Sequence, residues 1–328
     1  MIIQTVSKKL RTVVALTLTL GLFAGSAAQS AYPTKPIKLV VPYNAGGGTD
    51  ILARSVAAAA GESLGQPIVV DNRAGASGMI GSEYVGKSKS DGYVLLMTAA
   101  DTHSVNPHVY PKIRYDAQKD FTPIVQIGYL PYALVVNPKV GANNLNEFVA
   151  LAKKNPGKYT YSSWGIGSSS QVAMEMFKQK TGTELLHVPY TGAAPAMGAV
   201  VSGETDAMFV PLSLAVPNQK AGKVKIMGLG APKRFVDAAD IPTLAEQGVP
   251  LNTAPWIGIL GPANLPPEAV QQFYKAVSQA AEKPEVQAAL RTGGLQIDVL
   301  NPADFKALLA TDFERWGATV RQAGIKAQ

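Results

Sequence analysis

Short apolar runs alternate with amphipathic segments over the first third of the chain. Strands are predicted at 37–43, 67–72 and 93–99, where apolar residues are nearly continuous. Between them, 50–65 carries its apolar residues at helical spacing, and 77–88 follows a glycine turn and has the pattern of a second helix. Continuous apolar strands that alternate with helices are typical of a parallel sheet covered on both faces.

The alternation breaks at 120–138, where two strand-like runs follow each other with no helix between them. It then resumes with a helix predicted over 144–157, in which Asn144 is the expected N-cap and Glu147 occupies the capping-box position. Further strand and helix patterns follow, and an apolar strand at 256–262 leaves this second α/β unit. The sequence therefore predicts two α/β units in succession.

The chain after residue 262 is predicted to be helical, and its apolar faces need a partner. The simplest packing returns it to the first unit. Domain 1 is then discontinuous, with residues 32–130 plus 256–328, and domain 2 comprises 131–255. Two neighbouring crossings form a two-strand hinge, and a cleft between two such domains is a common place for a small ligand.

Residues 1–31 have the pattern of a signal peptide. Basic residues stand at positions 8, 9 and 11, an apolar stretch follows, and small residues close the segment, so that cleavage after Ala28, Ser30 or Ala31 is expected. The alternative is an uncleaved anchor, but the apolar stretch is shorter than the roughly 20 residues needed to span a bilayer. We expect an exported protein that is periplasmic in a Gram-negative cell.

Composition excludes several function classes. The 328 residues include no cysteine, so neither a disulfide nor a thiol nucleophile is available. Residues 1–31 hold three of the 30 lysines and arginines and none of the 23 acidic residues, and their removal lowers the formal charge from +7 to +4. That excess is spread too thinly for a nucleic-acid surface, so no nucleic-acid partner is expected.

The stretch "PYNAGGGTD" (42–50) places three glycines between a predicted strand and a predicted helix. No lysine follows the glycines, and their spacing does not match G-x-G-x-x-G, which argues against a nucleotide site. Bare backbone N–H groups at a helix N-terminus can hold a small anion. Thr49 and Asp50 are the expected capping residues, and Tyr43 offers a ring or hydroxyl. The alternative is a tight turn that binds nothing.

A second loop, "SSWGIGSSSQ" (162–171), occupies the same place in the second unit. Its serines can cap the following helix or face a ligand. A serine hydrolase is not expected, because the loop is not G-x-S-x-G and no carboxylate partner is evident for His103, His108 or His187. The two histidines nearest in sequence, His103 and His108, do not form a compact metal triad either.

Other candidates follow predicted strands. In domain 2, Tyr190, Thr191 and Gly192 are expected on the cleft rim, and Asp206 is either an acceptor for a ligand donor or a loop-end carboxylate in solvent. In domain 1 the candidates at the cleft-side edge are Asn72, Asp101, Thr102 and His103.

Several segments together resemble the tripartite tricarboxylate transporter substrate-binding family, also called Bug receptors. They include "YPTKPIKLVVPYNAGGGTDILAR", "VVDNRAGASGMIGSEYV", "HVPYTGAAPAM" and "WIGILGPANLPPEAV", in the family's order from about Tyr32 onward. The resemblance implies a type II periplasmic binding protein fold, in which two doubly wound α/β domains enclose a small carboxylate, with no catalysis, cofactor or metal site. It also implies a membrane permease of the tripartite tricarboxylate type as partner. We expect a monomer, and a periplasmic ligand sensor is the alternative role.

The resemblance also implies which residues hold the ligand, through backbone amides, hydroxyls and waters. With the candidates that follow strands, the expected ligand-binding set is Tyr43, Gly46, Gly47, Thr49, Asp50, Thr102, Ser163, Ser168, Ser169, Gln171, Tyr190, Thr191, Gly192 and Asp206. Asn44, Gln171 and Thr191 depart from the family pattern, and the last two replace a potential cation by a neutral donor. We therefore expect a ligand less anionic than citrate.

Overall fold

The computed structural model describes residues 32–326, so the predicted signal peptide lies outside the described residues. Numbered in chain order, the strands are β1 Ile37–Val41, β2 Ile68–Asn72, β3 Val94–Ala99, β4 Phe121–Tyr129, β5 Tyr132–Val136, β6 Tyr159–Ser163, β7 Leu185–Pro189, β8 Ala207–Pro211, β9 Lys225–Leu229, β10 Trp256–Pro262 and β11 Gln296–Leu300. The helices are α1 Gly48–Leu64, α2 Met79–Gly86, α3 Asn106–Val109, α4 Leu145–Lys154, α5 Ser169–Thr181, α6 Ala193–Ser202, α7 Leu212–Lys220, α8 Pro267–Glu282, α9 Pro284–Thr292 and α10 Pro302–Gln322.

The strands form two sheets, which confirms the predicted α/β class. The first sheet has the order β11-β4-β10-β3-β1-β2 and the second has the order β7-β6-β8-β5-β9. We call the elements around them the first lobe and the second lobe. In the first sheet β1 is parallel to β2 and β3, whereas β10 runs antiparallel between β3 and β4. The domain boundaries themselves stay a prediction.

Parallel β1 is buried because helices cover both faces of the sheet. Four of its five residues are buried, and α1 packs on one face with a row of alanines. Ala53, Ala57 and Ala60 are buried in the core of the first lobe, where α1 meets α8. Small side chains let the two helices approach closely, which fixes the start of α1 relative to the end of β1.

The chain crosses between the sheets twice, at 130–131 and at 252–255. The two crossings lie side by side, because the N–H of Leu130 donates to the carbonyl of Pro255 at 2.9 Å. The break that the sequence shows at 120–138 is therefore the step from β4 in the first sheet to β5 in the second.

The last helix, α10, touches both lobes. It contacts α3 of the first lobe and α5 of the second. Val109, Val172, Met176, Trp316 and Val320 form one buried apolar cluster in which α3, α5 and α10 meet. The lobes are thus joined by packed side chains as well as by the two crossings.

Strand β11, helix α7 and the short helix α3 were not predicted. Strand β11 lies in the stretch expected to be helical, and its pairing with β4 places the carbonyl of Gln296 against Gly128 so closely that a Cβ could not be accommodated. Helix α7 lies between β8 and β9, where only two strands were predicted, and Pro217 inside it weakens the helical pattern. The predicted cap Asn144 is confirmed, and Asn301 caps α10 in the same way, since both side chains accept backbone N–H groups.

Candidate functional site

A cavity of about 220 Å³ lies between the lobes. The first lobe lines it with Tyr43, Ser77, Asp101, Asn106 and Tyr110, and the second lobe lines it with residues 164–168. These residues follow the carboxyl ends of β1, β2, β3 and β6, the edge at which ligands bind in open α/β sheets. Both loops predicted from the sequence therefore reach the edges of the sheets that face this cavity.

The glycine loop turns the chain from β1 into α1. Gly46 has φ +78°, which favours glycine, and Gly47 is the N-cap without a side-chain hydrogen bond. Thr49 and Asp50 were expected to cap the helix; this was wrong, since both lie inside its first turn. Because α1 begins at Gly48, one residue before the predicted cap Thr49, the N–H groups of its first turn, from Gly48 to Asp50, lie next to the glycine loop.

Asp50 holds the glycine loop from inside. Its carboxylate is buried and accepts the N–H of Gly46 at 2.8 Å, Nε of Arg54 at 3.0 Å and Nδ2 of Asn72 at 3.0 Å. The hydrogen bond from Arg54 is the largest cause that holds the pKa of Asp50 at about 2. The Gly46 N–H and the Asp50 carboxylate are therefore hydrogen-bonded to each other, and Asp50 positions the glycine loop.

The serine loop is capped by its own side chains. Ser168 is the N-cap of α5 and accepts the N–H of Gln171, while Oε1 of Gln171 accepts the N–H of Gly167 at 2.7 Å. Gly167 has φ +75°, and a Cβ there would overlap the side chain of Val109 in the other lobe. Of the predicted second-lobe residues, Ser168 lines the cavity, and Gln171 shapes the loop from behind.

Ser163 lies under the loop. Its hydroxyl is fully buried and lies 2.6 Å from Nε2 of His187, a contact that the sequence did not indicate. Burial lowers the pKa of His187 to about 4, so the ring is neutral at physiological pH. The Ser163 hydroxyl is thus turned away from the cavity.

Thr102 is also buried, within a short row of hydroxyl groups. Its Oγ1 lies 2.9 Å from Oγ1 of Thr98 and 2.7 Å from Nδ1 of His103, and the Tyr43 hydroxyl lies 3.5 Å from Thr98. Tyr43 therefore stands between this buried row and the cavity, whereas Thr102 supports it from below.

The remaining predicted residues are split between two edges of the second sheet. Tyr190, Thr191 and Gly192 follow β7 and lie beside the serine loop, with the N–H of Tyr190 bonded to the carbonyl of Ser163. Asp206 precedes β8, so it lies at the opposite edge, where it accepts the N–H and the hydroxyl of Thr160. Asp206 does not face the cavity, and the expectation that it would is corrected.

Asp101 is the one acidic group among the residues that line the cavity within 32–326. Burial raises the pKa of Asp101, and the neighbouring Ser169, at the first turn of α5 in the opposite lobe, opposes the shift. Burial, followed by the charge of Asp101, likewise raises the pKa of Tyr43. The sequence placed Asp101 at this edge but did not include it in the binding set.

The sequence missed Ser77, Asn106, Tyr110 and Trp164, which also line the cavity. The Ser77 hydroxyl lies 2.8 Å from the Tyr110 hydroxyl, and Asn106 donates to the carbonyl of Ser77 at 2.8 Å. Ser77 has φ +54°, which is strained for a residue with a side chain. Only their positions after strands could have indicated these residues: Ser77 follows β2, Asn106 and Tyr110 follow β3, and Trp164 follows β6.

Within 32–326, histidine, aspartate and glutamate side chains do not come together in threes in a way that could hold a metal ion. Over the same range every helix is too short or too polar to cross a membrane.

Comparison with protein families gives one match that covers most of the chain. Residues 52–325 match the sequence model of the tripartite tricarboxylate transporter family receptor. Protein BugT of Bordetella pertussis is 30% identical over 319 residues, which cover 95% of this chain and 98% of that protein.

Solved structures agree with this match. A protein of R. palustris with adipate is 32% identical with a TM-score of 0.77, covering 90% of this chain and 100% of that one. MatC from Rhodopseudomonas palustris with bound malate is 29% identical with a TM-score of 0.71, covering 88% of this chain and 100% of that one. These similarities confirm the predicted periplasmic binding protein fold.

Proposed function

The chain belongs to the tripartite tricarboxylate transporter receptor family, a family of periplasmic solute-binding receptors, and on that premise we propose that it captures a small carboxylate between its two lobes. The loaded receptor then delivers the ligand to a membrane permease of the tripartite tricarboxylate type. Export to the periplasm through residues 1–31 is part of the same proposal.

The observation that carries the proposal is the cavity lined from both lobes. Its volume of about 220 Å³ lies below the range of roughly 300–1,000 Å³ that drug-sized ligands need, so it suits a small acid. The two relatives with adipate and with malate hold acids of this size class.

The lining offers hydroxyl and amide donors for a carboxylate. Tyr43, Ser77, Tyr110 and Ser168 contribute hydroxyl groups, and Asn106 contributes an amide. Hydrogen bonds to a charged acceptor are stronger than neutral ones, and they strengthen further where water is excluded. A carboxylate can therefore be held here without a cationic side chain, whereas a tricarboxylate has too much charge for this lining.

A binding panel tests the proposal. The protein, purified from the periplasm, is titrated with acetate, succinate, malate, adipate and citrate, each with and without an α-amino group where that form exists. We expect at least one mono- or dicarboxylate to raise Tm and to bind in calorimetry, with citrate weaker. A ligand at 100 times its Kd stabilises the bound form by about 2.7 kcal/mol.

Ile166→Trp locates the binding site. Ile166 lines the cavity and is 47% exposed, so the larger ring fills the cavity at little cost in stability. We expect ligand binding to be lost in this variant. Val236→Trp is the matched control, because Val236 is 63% exposed on the surface of the second lobe and should leave binding unchanged. Full binding by Ile166→Trp, or citrate as the tightest ligand, would refute the proposal.

A further inference from the structure

A second and larger cavity lies within the first lobe. Its volume is about 700 Å³, inside the range of roughly 300–1,000 Å³ that is typical of small-molecule sites. It is enclosed by α10, the start of β4, the end of β10 and the segment that leads into α8. The described residues that line it are all different from those that line the cavity between the lobes, so the two cavities are separate.

One face of α10 forms an apolar wall of this cavity. The lining positions on α10 recur every three or four residues between 302 and 313, which is the spacing of a single helix face. Leu309 and Phe313 on this face are only half-buried. Other walls are formed by the buried side chains of Leu260, Leu265 and Val270. An apolar chain bound here would remove further surface of Leu309 and Phe313 from water, which favours binding.

The deeper part of the lining is uncharged. His103 belongs to it and is 3% exposed, and burial lowers the pKa of His103 to about 3, so the ring is neutral at physiological pH. The ring packs edge-on against Phe121 with 4.5 Å between the centroids. This part of the cavity therefore suits the apolar body of a ligand and not a charged group.

The charge of the lining lies at the solvent side and is positive. Lys119 and Lys306 line the cavity and are exposed, and among the lining residues of 32–326 there is no aspartate or glutamate. Asp116 lies 3.4 Å from Nζ of Lys119 and offsets part of its charge. Lys306 takes part in none of the ion pairs formed within 32–326. An anionic group at this place is favoured over a cationic one.

We propose that this cavity is a second ligand site, which takes a single-chain amphiphile with an anionic head. The apolar chain lies along α10 against Leu309 and Phe313, and the head stays at the solvent side near Lys119 and Lys306. This inference goes beyond the proposed function, because the site shares no residue with the cavity between the lobes and does not depend on a ligand there.

Octanoate is the probe for this site. The protein purified from the periplasm is titrated in calorimetry with octanoate, butanoate and octylammonium, each below the concentration at which it forms micelles. Every buried CH₂ group strengthens binding by roughly fourfold, so we expect octanoate to bind at least about tenfold more tightly than butanoate. Octylammonium has the same chain with a positive head, and we expect it to bind at least about tenfold more weakly than octanoate.

Filling the cavity assigns the binding to it. Ala310 lines the cavity and is exposed, so Ala310→Trp places a large ring in it, and octanoate should bind at least about tenfold more weakly. Ala307→Trp is the matched control, because Ala307 is exposed on the same helix and does not line the cavity, and it should bind octanoate as wild type does. Ala303→Trp, also exposed and in the lining, gives the same test if Ala310→Trp does not fold.

A charge variant tests the head group. Lys306→Gln should weaken octanoate binding by about threefold, as expected of one exposed charge. Lys275→Gln is its control, because Lys275 is exposed on α8 and does not line the cavity, and it should leave octanoate binding unchanged.

The outcomes separate this site from the cavity between the lobes. Octanoate binding that is lost in Ile166→Trp but kept in Ala310→Trp would place the probe between the lobes and overturn this inference. Absence of octanoate binding to wild type, or octylammonium binding as tight as that of octanoate, would overturn it as well. Failure of the small acids to bind between the lobes would refute the proposed function and leave the result at this site unchanged.

Discussion

The contacts of Asp50 allow a magnitude to be worked out for its removal. The carboxyl has a pKa of about 2 in the folded protein against its ordinary value of 3.8, and a difference of one in pKa corresponds to about 1.36 kcal/mol. The largest contributor, Arg54, is 54% exposed, so solvent screens part of this interaction. We therefore expect Asp50→Asn to lower the free energy of unfolding of the first lobe by about 1–2 kcal/mol at pH 7.

The pH dependence has a definite sign. Because the folded pKa is lowered, the stabilisation is fully present above pH 3.8 and is lost as the pH falls through about 2. Urea unfolding of wild type and Asp50→Asn at pH 7 and pH 2.5 should therefore show a gap that shrinks at the lower pH. Asp71→Asn is the control, since Asp71 pairs with Lys38 and Arg73 but is more exposed, and its effect should be smaller.

Ligand affinity is the second readout for Asp50. The carboxylate fixes the Gly46 N–H and hence the turn into α1. If that turn positions donors for the ligand, Asp50→Asn should weaken binding by about tenfold, or about 1.4 kcal/mol. A stability gap that is the same at both pH values would refute the electrostatic reasoning, and unchanged affinity would show that the glycine loop is not part of the binding site.

Two further changes test the placement of the loops. Gly167→Ala should weaken ligand binding by about tenfold in calorimetry, since its Cβ would overlap Val109 across the lobes. Gly157→Ala is the control: it carries the same backbone cost at φ +70° but lies in open space, so it should leave binding unchanged. Equal affinities of the two variants would contradict this reasoning. Asp206→Ala should lower Tm by about 2–4 °C through the lost bonds to Thr160 and leave ligand affinity within about twofold, and a large loss of affinity would place Asp206 in the site after all.

The class of fold could be predicted from the sequence because its strands carry a strong pattern. A parallel strand covered on both faces is apolar at nearly every position, as in β1, and such runs are visible without a structure. Strand β11 carries no such pattern: all its residues are only partly buried, and it pairs with β4 alone. An edge strand of this kind depends on its neighbour, so local sequence could not have predicted it.

The site was predicted in outline and missed in detail for a related reason. A strand's carboxyl end identifies which loops meet, and this placed Tyr43, Ser168 and Asp101 at the right edge. It does not say which way a side chain turns, so Ser163 and Thr102 were expected in the cavity although their hydroxyls are buried beneath it. Asp206 was placed at the wrong edge because it precedes β8, and the amino end of that strand lies at the edge of the sheet away from the cavity.

The contact of α10 with α5 offers a way to observe the lobes separating. Gln179 and Gln322 are exposed residues beside a groove between these two helices, one on each side. Since the chain has no native cysteine, a Cys pair introduced at these two positions would take spectroscopic labels there and nowhere else. The distance between the labels would then report, molecule by molecule, how far the two halves move apart when ligand leaves.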